Sequence, residues 1–571
     1  MSHRYADTAA LKMDKRKDSF PGHKNESVFN YVYNKVATST QIGMLAVKLQ
    51  CDSSFGSRHS KSIVIDGDRM SRFTTTNIHQ QPPQCPASRR NVLIVGGGPA
   101  GLATALMLAK RGWTEITVLE RRRAANDYEP DKSFNYLIDA RGQQLTDLLG
   151  LTDLLSKIGV PASEFQITRI QPNGDRKTIK QSFNDPKPAY WLFRSAFLQL
   201  LYQEIEHHWA HQITVLFNRR CVAINKTIED TVETLEVVVE SENSSVPERF
   251  QPTLLIGCDG IQSIVRSTLN TWDHSGKFEV EQLPSPSSGL RYKALRLPPN
   301  FPLDAEAKNH AVSTQSYGIR GKFRERRRAL SLGLLPIKDQ DVPRPAMLIN
   351  WADHQLWQLK TGEEVLNFLE SAFPQLPLRQ FIAPQEADRF AESEGGTFPI
   401  PQFCSGLHYL LPCPSKRHDQ SMSGVLLLGD AAHCFPPDIG QGVNSALEDV
   451  YVLHQVLSEH EDDLARSLPV YEAERSPDVE GLVRLVQIAA PWQYNQAPLR
   501  TKLWFMGSVI RLGLSKLLPF ISPPIAFSVR DPQYSYRDLW LGEQRTSRIL
   551  SGMSWMGFIG LLGIVVLLLQ H

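Results

Sequence analysis

Three clusters of glycine and acid, each following a short apolar run, carry the chemistry of this sequence. Gly96, Gly97, Gly98, Pro99, Ala100 and Gly101 satisfy the spacing G-x-G-x-x-G. In that pattern Gly96 permits a tight turn, Gly98 lets the backbone approach a pyrophosphate, and Gly101 allows close helix–strand packing. Glu120 lies 24 residues beyond Gly96, where a carboxylate can accept from ribose hydroxyls. Asp259 and Gly260 form the second cluster. Gly429 and Asp430 open the third, which continues through Pro437, Asp438, Ile439, Gly440, Gln441, Gly442, Val443 and Asn444. The chemistry expected is dinucleotide binding.

Those residues need elements to position them. Residues 91–95 (NVLIV) lack alternation and read as a buried parallel strand. A helical pattern follows to Arg111, then Gly112, then a second strand over 116–119. Residues 253–258 (TLLIGC) and 425–428 (VLLL) read as further strands, each placing an acid where α/β folds bind ligands. A helix over 445–457 follows the GQG glycines. Two helix starts would thus offer free N–H groups and a positive dipole end. Arg121, Arg122 and Arg123 suggest a 2′-phosphate, but the Glu120 carboxylate would repel it; Arg121 is expected to stack on an adenine or stay solvated. His433 and Cys434 are expected to pack rather than act as nucleophiles.

The chain has 571 residues, 42% hydrophobic and 21% charged, as in an ordinary globular protein. Its net charge of +2 argues against a nucleic-acid partner. Seven cysteines without C-x-x-C spacing form neither a disulfide framework nor a metal site. The charge is uneven. Residues 1–90 hold 14 Lys+Arg against 7 Asp+Glu and read as a disordered or targeting leader. Residues 481–530 hold six basic residues and no acid, interleaved with apolar side chains, which suits either a helical cap or a surface on anionic headgroups. Residues 549–569 are 21 positions without a charge, about 31 Å as a helix, enough to cross a bilayer. A membrane-bound, tail-anchored protein with its catalytic body facing the cytosol is the expectation.

With its three motifs in this order, GGGPAG…E, DGIQSIVR and GDAAHCFPPDIGQGVN, the chain resembles the flavoprotein aromatic hydroxylases, a family of FAD-dependent monooxygenases. The resemblance spans roughly 90–480. It implies an α/β fold like that of p-hydroxybenzoate hydroxylase: a Rossmann-type FAD lobe interleaved with a β-sheet substrate lobe over 91–475. The substrate sheet would take about 161–189 and 276–399, with a helical cap over 476–548 and the terminal transmembrane helix over 549–569. Gly96, Gly98, Pro99, Ala100, Gly101, Glu120 and Arg121 would hold the ADP half. Arg141, Arg194, Asp259, Gly260 and Asp430 would complete the FAD site. The isoalloxazine would lie on Gly440, Gly442, Val443 and Asn444, with Pro437, Gly440 and Gly442 supplying the catalytic backbone. NADPH or NADH would be the reductant and a flavin C4a-hydroperoxide the oxygen donor to a small-molecule substrate.

Within that family the pattern is most similar to the kynurenine 3-monooxygenases, through 132–142 and 291–299. The departures bear on substrate. That subfamily's carboxylate-pairing Arg falls within 159–165, which holds none here, and its Tyr-Asn-Tyr triplet falls at about 488–490, here Ile488, Ala489 and Ala490. An unpaired substrate carboxylate would be costly in such a site, so a more apolar substrate is expected. The alternatives are kynurenine hydroxylation itself, an epoxidase of the squalene or carotenoid type, and a flavin-binding protein without turnover.

Overall fold

The computed structural model describes residues 91–569 apart from 126, 128–134, 183–186, 230–231, 412–422 and 495, and from 554 onward the backbone alone. The expected leader, 1–90, lies outside the described residues.

A six-stranded sheet organises the first lobe. Its strands are β1 (Asn91–Val95), β2 (Glu115–Leu119), β3 (Ile213–Leu216), β4 (Leu254–Gly257), β5 (His408–Leu410) and β6 (Gly424–Leu427), in the order β5-β6-β4-β1-β2-β3. All neighbours are parallel except β5, which runs antiparallel at the edge. The central strands are apolar because both faces are covered: Val92, Leu93 and Ile94 on β1 and every residue of β4 and β6 are buried. Helices α1 (Pro99–Lys110) and α2 (Gly442–Glu459) pack here, with Leu102, Leu106, Leu447 and Val450 in the same core. Because β6, β4 and β1 are adjacent and parallel, the loops after them open on one edge, about 5 Å apart from strand to strand. Those loops carry the three clusters.

A seven-stranded sheet forms the second lobe, in the order Gly396–Thr397, Arg291–Leu297, Arg344–Asn350, Ser331–Leu334, Ser316–Arg320, Glu164–Ile170, Arg176–Ser182. It is antiparallel apart from the Ser316–Arg320 pairing with Glu164–Ile170. Leu295, Leu297, Ile319, Leu332 and Leu348 meet the helix Gly362–Ala372 in a separate core. A third core joins α3 (Leu464–Ala489) to the C-terminal helix through Leu482, Val486 and Tyr536. Between them in the chain comes α4 (Pro498–Leu517), which buries none of its residues.

The C-terminal helix, α5, runs Tyr536–Leu569. Among the described residues no helix is long and apolar enough to cross a membrane. Most of the run expected to be a terminal anchor, 549–569, lies outside the residues described at side-chain level. What the structure supports is the α/β fold.

Candidate functional site

The first cluster is built as its spacing requires. Gly96 has φ +108 and donates its N–H to Leu119 O at 2.8 Å. A Cβ on Gly96 would stand 2.3 Å from Cys258 O, and one on Gly101 1.9 Å from Gly96 O; neither position tolerates a side chain. Gly98 differs: a Cβ there would meet nothing within 4 Å. It precedes α1, whose first turn has Pro99 and no capping side chain, so the early N–H groups stay available to an anion.

Glu120 is buried, and its oxygens are used within the chain. Oε2 accepts from Gly97 N–H at 2.9 Å, and Oε1 accepts from Arg122 N–H at 2.8 Å and lies 3.1 Å from Arg122 Nε. Burial would raise this carboxyl, but the Arg122 contacts prevail and hold it below the usual carboxylate range. Glu120, the residue expected on a ribose, clasps the glycine loop. Arg121 is exposed and lines a surface trough with Arg123 and Arg220.

At the second cluster Asp259 Oδ2 accepts from Ile264 N–H at 2.7 Å, while its buried Oδ1 has no partner. Burial raises this carboxyl. Gly260, at φ +84, has open space where a Cβ would be.

Asp430 follows β6 and is exposed, yet the surrounding protein desolvates it enough to raise its carboxyl, against the lowering charges of His433 and Arg194. Surface exposure together with dense surroundings is the mark of a cleft wall. Arg194 begins the helix Arg194–Glu204, and its charge also acts on Tyr136. Gly429, at φ +59, gives its N–H to Asp449 Oδ2 at 2.8 Å. His433 Nε2 lies 2.8 Å from the same oxygen, and burial drives the Cys434 thiol well up. A thiol held protonated is no nucleophile.

The glycines of the third cluster flank a buried glutamine. Gly440, at φ +66, and Gly442 both have open Cβ space, and Gly442 opens α2 without a side-chain cap. Pro437 is exposed and its carbonyl accepts from Gly440 N–H at 3.2 Å. Gln441 Nε2 donates to Asp139 Oδ2 at 2.7 Å and its Oε1 accepts from the Tyr536 hydroxyl at 2.8 Å. Asn444 donates to Leu137 O at 2.9 Å and Gly440 O at 3.1 Å, and accepts from Asp139 N–H at 3.1 Å. Val443 is buried beside it. Asn444 therefore holds the loop, as Glu120 holds the first one.

Arg141, expected on the cofactor, makes its described contacts within the chain. Fully buried, it pairs with Glu448, donates to Val529, Asp531 and Tyr534 carbonyls, and lies 4.1 Å from the Tyr536 ring centroid. It ties the chain before α5 to the first lobe.

Sequence reasoning missed Asp139. Burial pushes its carboxyl up to about 6, despite Gln441 and the nearby arginines. A raised acid binds its proton more tightly folded than unfolded. Stability from this group is thus full below about pH 4 and lost as pH rises through about 6, by up to about 3 kcal/mol. Urea unfolding from pH 4 to 7 is expected to show that fall, and Asp139→Asn to flatten it. An unchanged slope in the variant would exclude Asp139 as its source.

Four accessible glycines with open Cβ space (98, 260, 440 and 442), an orphaned Asp259 oxygen and the cleft carboxylate of Asp430 fit a bound dinucleotide such as FAD. Comparison with known proteins points the same way. Residues 89–285 and 417–486 match the family described as FAD binding domain. The chain is 24% identical to the kynurenine 3-monooxygenase of Anopheles gambiae over 493 residues, 86% of this chain and 88% of that one. It is 25% identical to the violacein synthase of Chromobacterium violaceum over 462 residues, covering 76% and 92%. Aklavinone-11 hydroxylase, solved as a ternary complex with FAD and aklavinone, superposes at a TM-score of 0.52 and 18% identity over 73% of this chain and 70% of that one.

Proposed function

We propose that this chain, one of the FAD-dependent aromatic monooxygenases, uses NAD(P)H and O2 to hydroxylate an uncharged aromatic or apolar small molecule. One oxygen atom would enter the substrate as a hydroxyl and the other leave as water, with NAD(P)H and the substrate each giving up two electrons. FAD, when bound, would carry electrons from the nicotinamide to O2. The first turn of α1 would receive the pyrophosphate. Asp430 would accept from a ribityl or ribose hydroxyl, with Arg194 and Asp259 beside it. The positive end of α2, entered through Pro437, Gly440 and Gly442, would favour negative charge at the isoalloxazine edge.

The observation that carries the substrate class is a buried aromatic cluster packed beside that loop. The carboxyl of Asp438, two residues before Gly440, is raised by burial although Ser287, Tyr494 and Gln493 hydrogen-bond it. Tyr494 meets Phe398 at 5.4 Å between ring centroids, and Phe398 meets Tyr292 at 5.3 Å. Leu290, Met347, Ile349 and Trp351 complete the cluster. These side chains offer no cation to a substrate carboxylate, which favours a neutral ring over an anionic one. Kynurenine hydroxylation is the second reading, favoured by the relative that covers most of this chain. Attachment to a membrane through 549–569 belongs to the same proposal, with the catalytic body on the cytosolic side, supported by 21 positions without a charge.

Substrate-stimulated NADPH oxidation, with product analysis, tests both readings across neutral phenols and indoles and L-kynurenine. Coupled turnover of neutral rings, with a kcat/KM at least about tenfold above that for L-kynurenine, is expected. Coupled turnover of L-kynurenine alone would overturn the proposal.

A further inference from the structure

The strongest feature outside the cofactor site is the outer face of α4. Leu499, Leu503, Met506, Ile510 and Leu517 are 71, 57, 42, 62 and 78% exposed. At 100° per residue these five positions fall within about 60° of one another around the helix. They form one continuous stripe, and no residue of α4 is buried. A surface helix of a globular protein would turn such a stripe inward, toward the core. Among the half-buried residues of α4, which also include Trp504, Leu512 and Leu514, Arg511 makes the polar contact. Arg511 donates to Ser522 O at 2.8 Å and Pro523 O at 3.2 Å, and pairs with Glu543 at 2.6 Å. Arg511 thus fastens the helix while the five-residue stripe stays exposed.

We infer that α4 lies in the plane of an anionic lipid surface, its stripe sunk among the acyl chains. The charge around the stripe selects this occupant over a second protein copy. Lys502 and Lys516 flank it on one side and Arg500 on the other, all three exposed, and residues 481–530 contain no acid. A second copy would bring the same cations face to face. Anionic headgroups complement them, and long basic side chains reach the headgroup level while the stripe is immersed. This placement concerns α4 alone and rests neither on the 549–569 run nor on turnover.

The test uses the full chain reconstituted into vesicles of phosphatidylcholine, with and without phosphatidylserine, reading amide hydrogen exchange of 498–517. Exchange is expected to slow about tenfold more on the phosphatidylserine vesicles. Leu503→Asp with Ile510→Asp should remove the protection on both lipids while flavin content stays unchanged. Lys502→Glu with Lys516→Glu should remove the difference between the lipids. Equal exchange in wild type and the Leu503→Asp/Ile510→Asp variant would overturn the proposal, as would failure of the wild type to co-float with either vesicle. Protection without lipid, accompanied by a doubled mass in solution, would overturn it in favour of a second copy.

Discussion

Asp430→Ala is expected to give a folded protein that leaves gel filtration colourless, its affinity for FAD reduced about 10- to 100-fold. The magnitude is that of one charge-assisted hydrogen bond, about 1.5–3 kcal/mol. The fold should survive because Asp430 contributes little to it. Its carboxyl is raised by desolvation, so ionising it is already unfavourable, and the charges of His433 and Arg194 and the Cys434 thiol offset this. The neighbouring loop is fastened independently, through Gly429 N–H on Asp449. The ratio of flavin absorbance to protein absorbance and an FAD titration read the effect, with thermal unfolding as the control for folding. Full flavin occupancy in this variant would refute Asp430 as an FAD ligand.

The parts of the site legible in the sequence are those built by neighbours in the chain. Strand β1, the Gly96–Gly101 turn and α1 form from consecutive residues, and the short contacts of Gly96 and Gly101 are what the glycine spacing encodes. The residues read less well are those whose partners lie far along the chain. Asn444 reads as a ligand from its motif, and the motif does not show that its amide also reaches Leu137 and Asp139, some 300 positions away. Arg141 reads as a cofactor residue, and only the closed chain sets Asp531 and Tyr534 carbonyls against it, some 390 positions away. The outward stripe of α4 was half legible. Its mixture of basic and apolar residues shows in the sequence, but which side the fold turns outward depends on where Arg511 finds Glu543.

Arg475→Leu is expected to destabilise the protein by about 3–5 kcal/mol, the cost of leaving buried carboxylates without their cation. In the sequence Glu448, Asp449, Arg475 and Asp478 look like ordinary charges on helix surfaces. In the fold all four are buried where α3 crosses α2. Arg475 reaches Asp449 at 2.5 Å, Asp478 at 2.7 Å and Glu448 at 3.2 Å. Burial by itself would raise the Asp449 carboxyl, but the charges of His433 and Arg475 overcome it and hold it at about 2. A carboxyl lowered in this way stabilises the fold above its ordinary range near pH 4, and that contribution is lost as pH falls toward 2. Removing the guanidinium reverses the balance for Asp449. Its carboxyl should rise, and the variant should lose stability as pH increases from 4 to 7, where the wild type gains nothing further from this group. Urea midpoints across that range measure both the drop and its sign. Because Asp449 also holds Gly429 N–H, one residue before Asp430, flavin affinity should weaken with stability. Arg475→Lys should restore part of each, since one cation can return but not the forked contacts to three acids. Equal stability of Arg475→Leu and wild type at neutral pH would mean that the acids are neutral in the folded state, and the network would then owe nothing to charge.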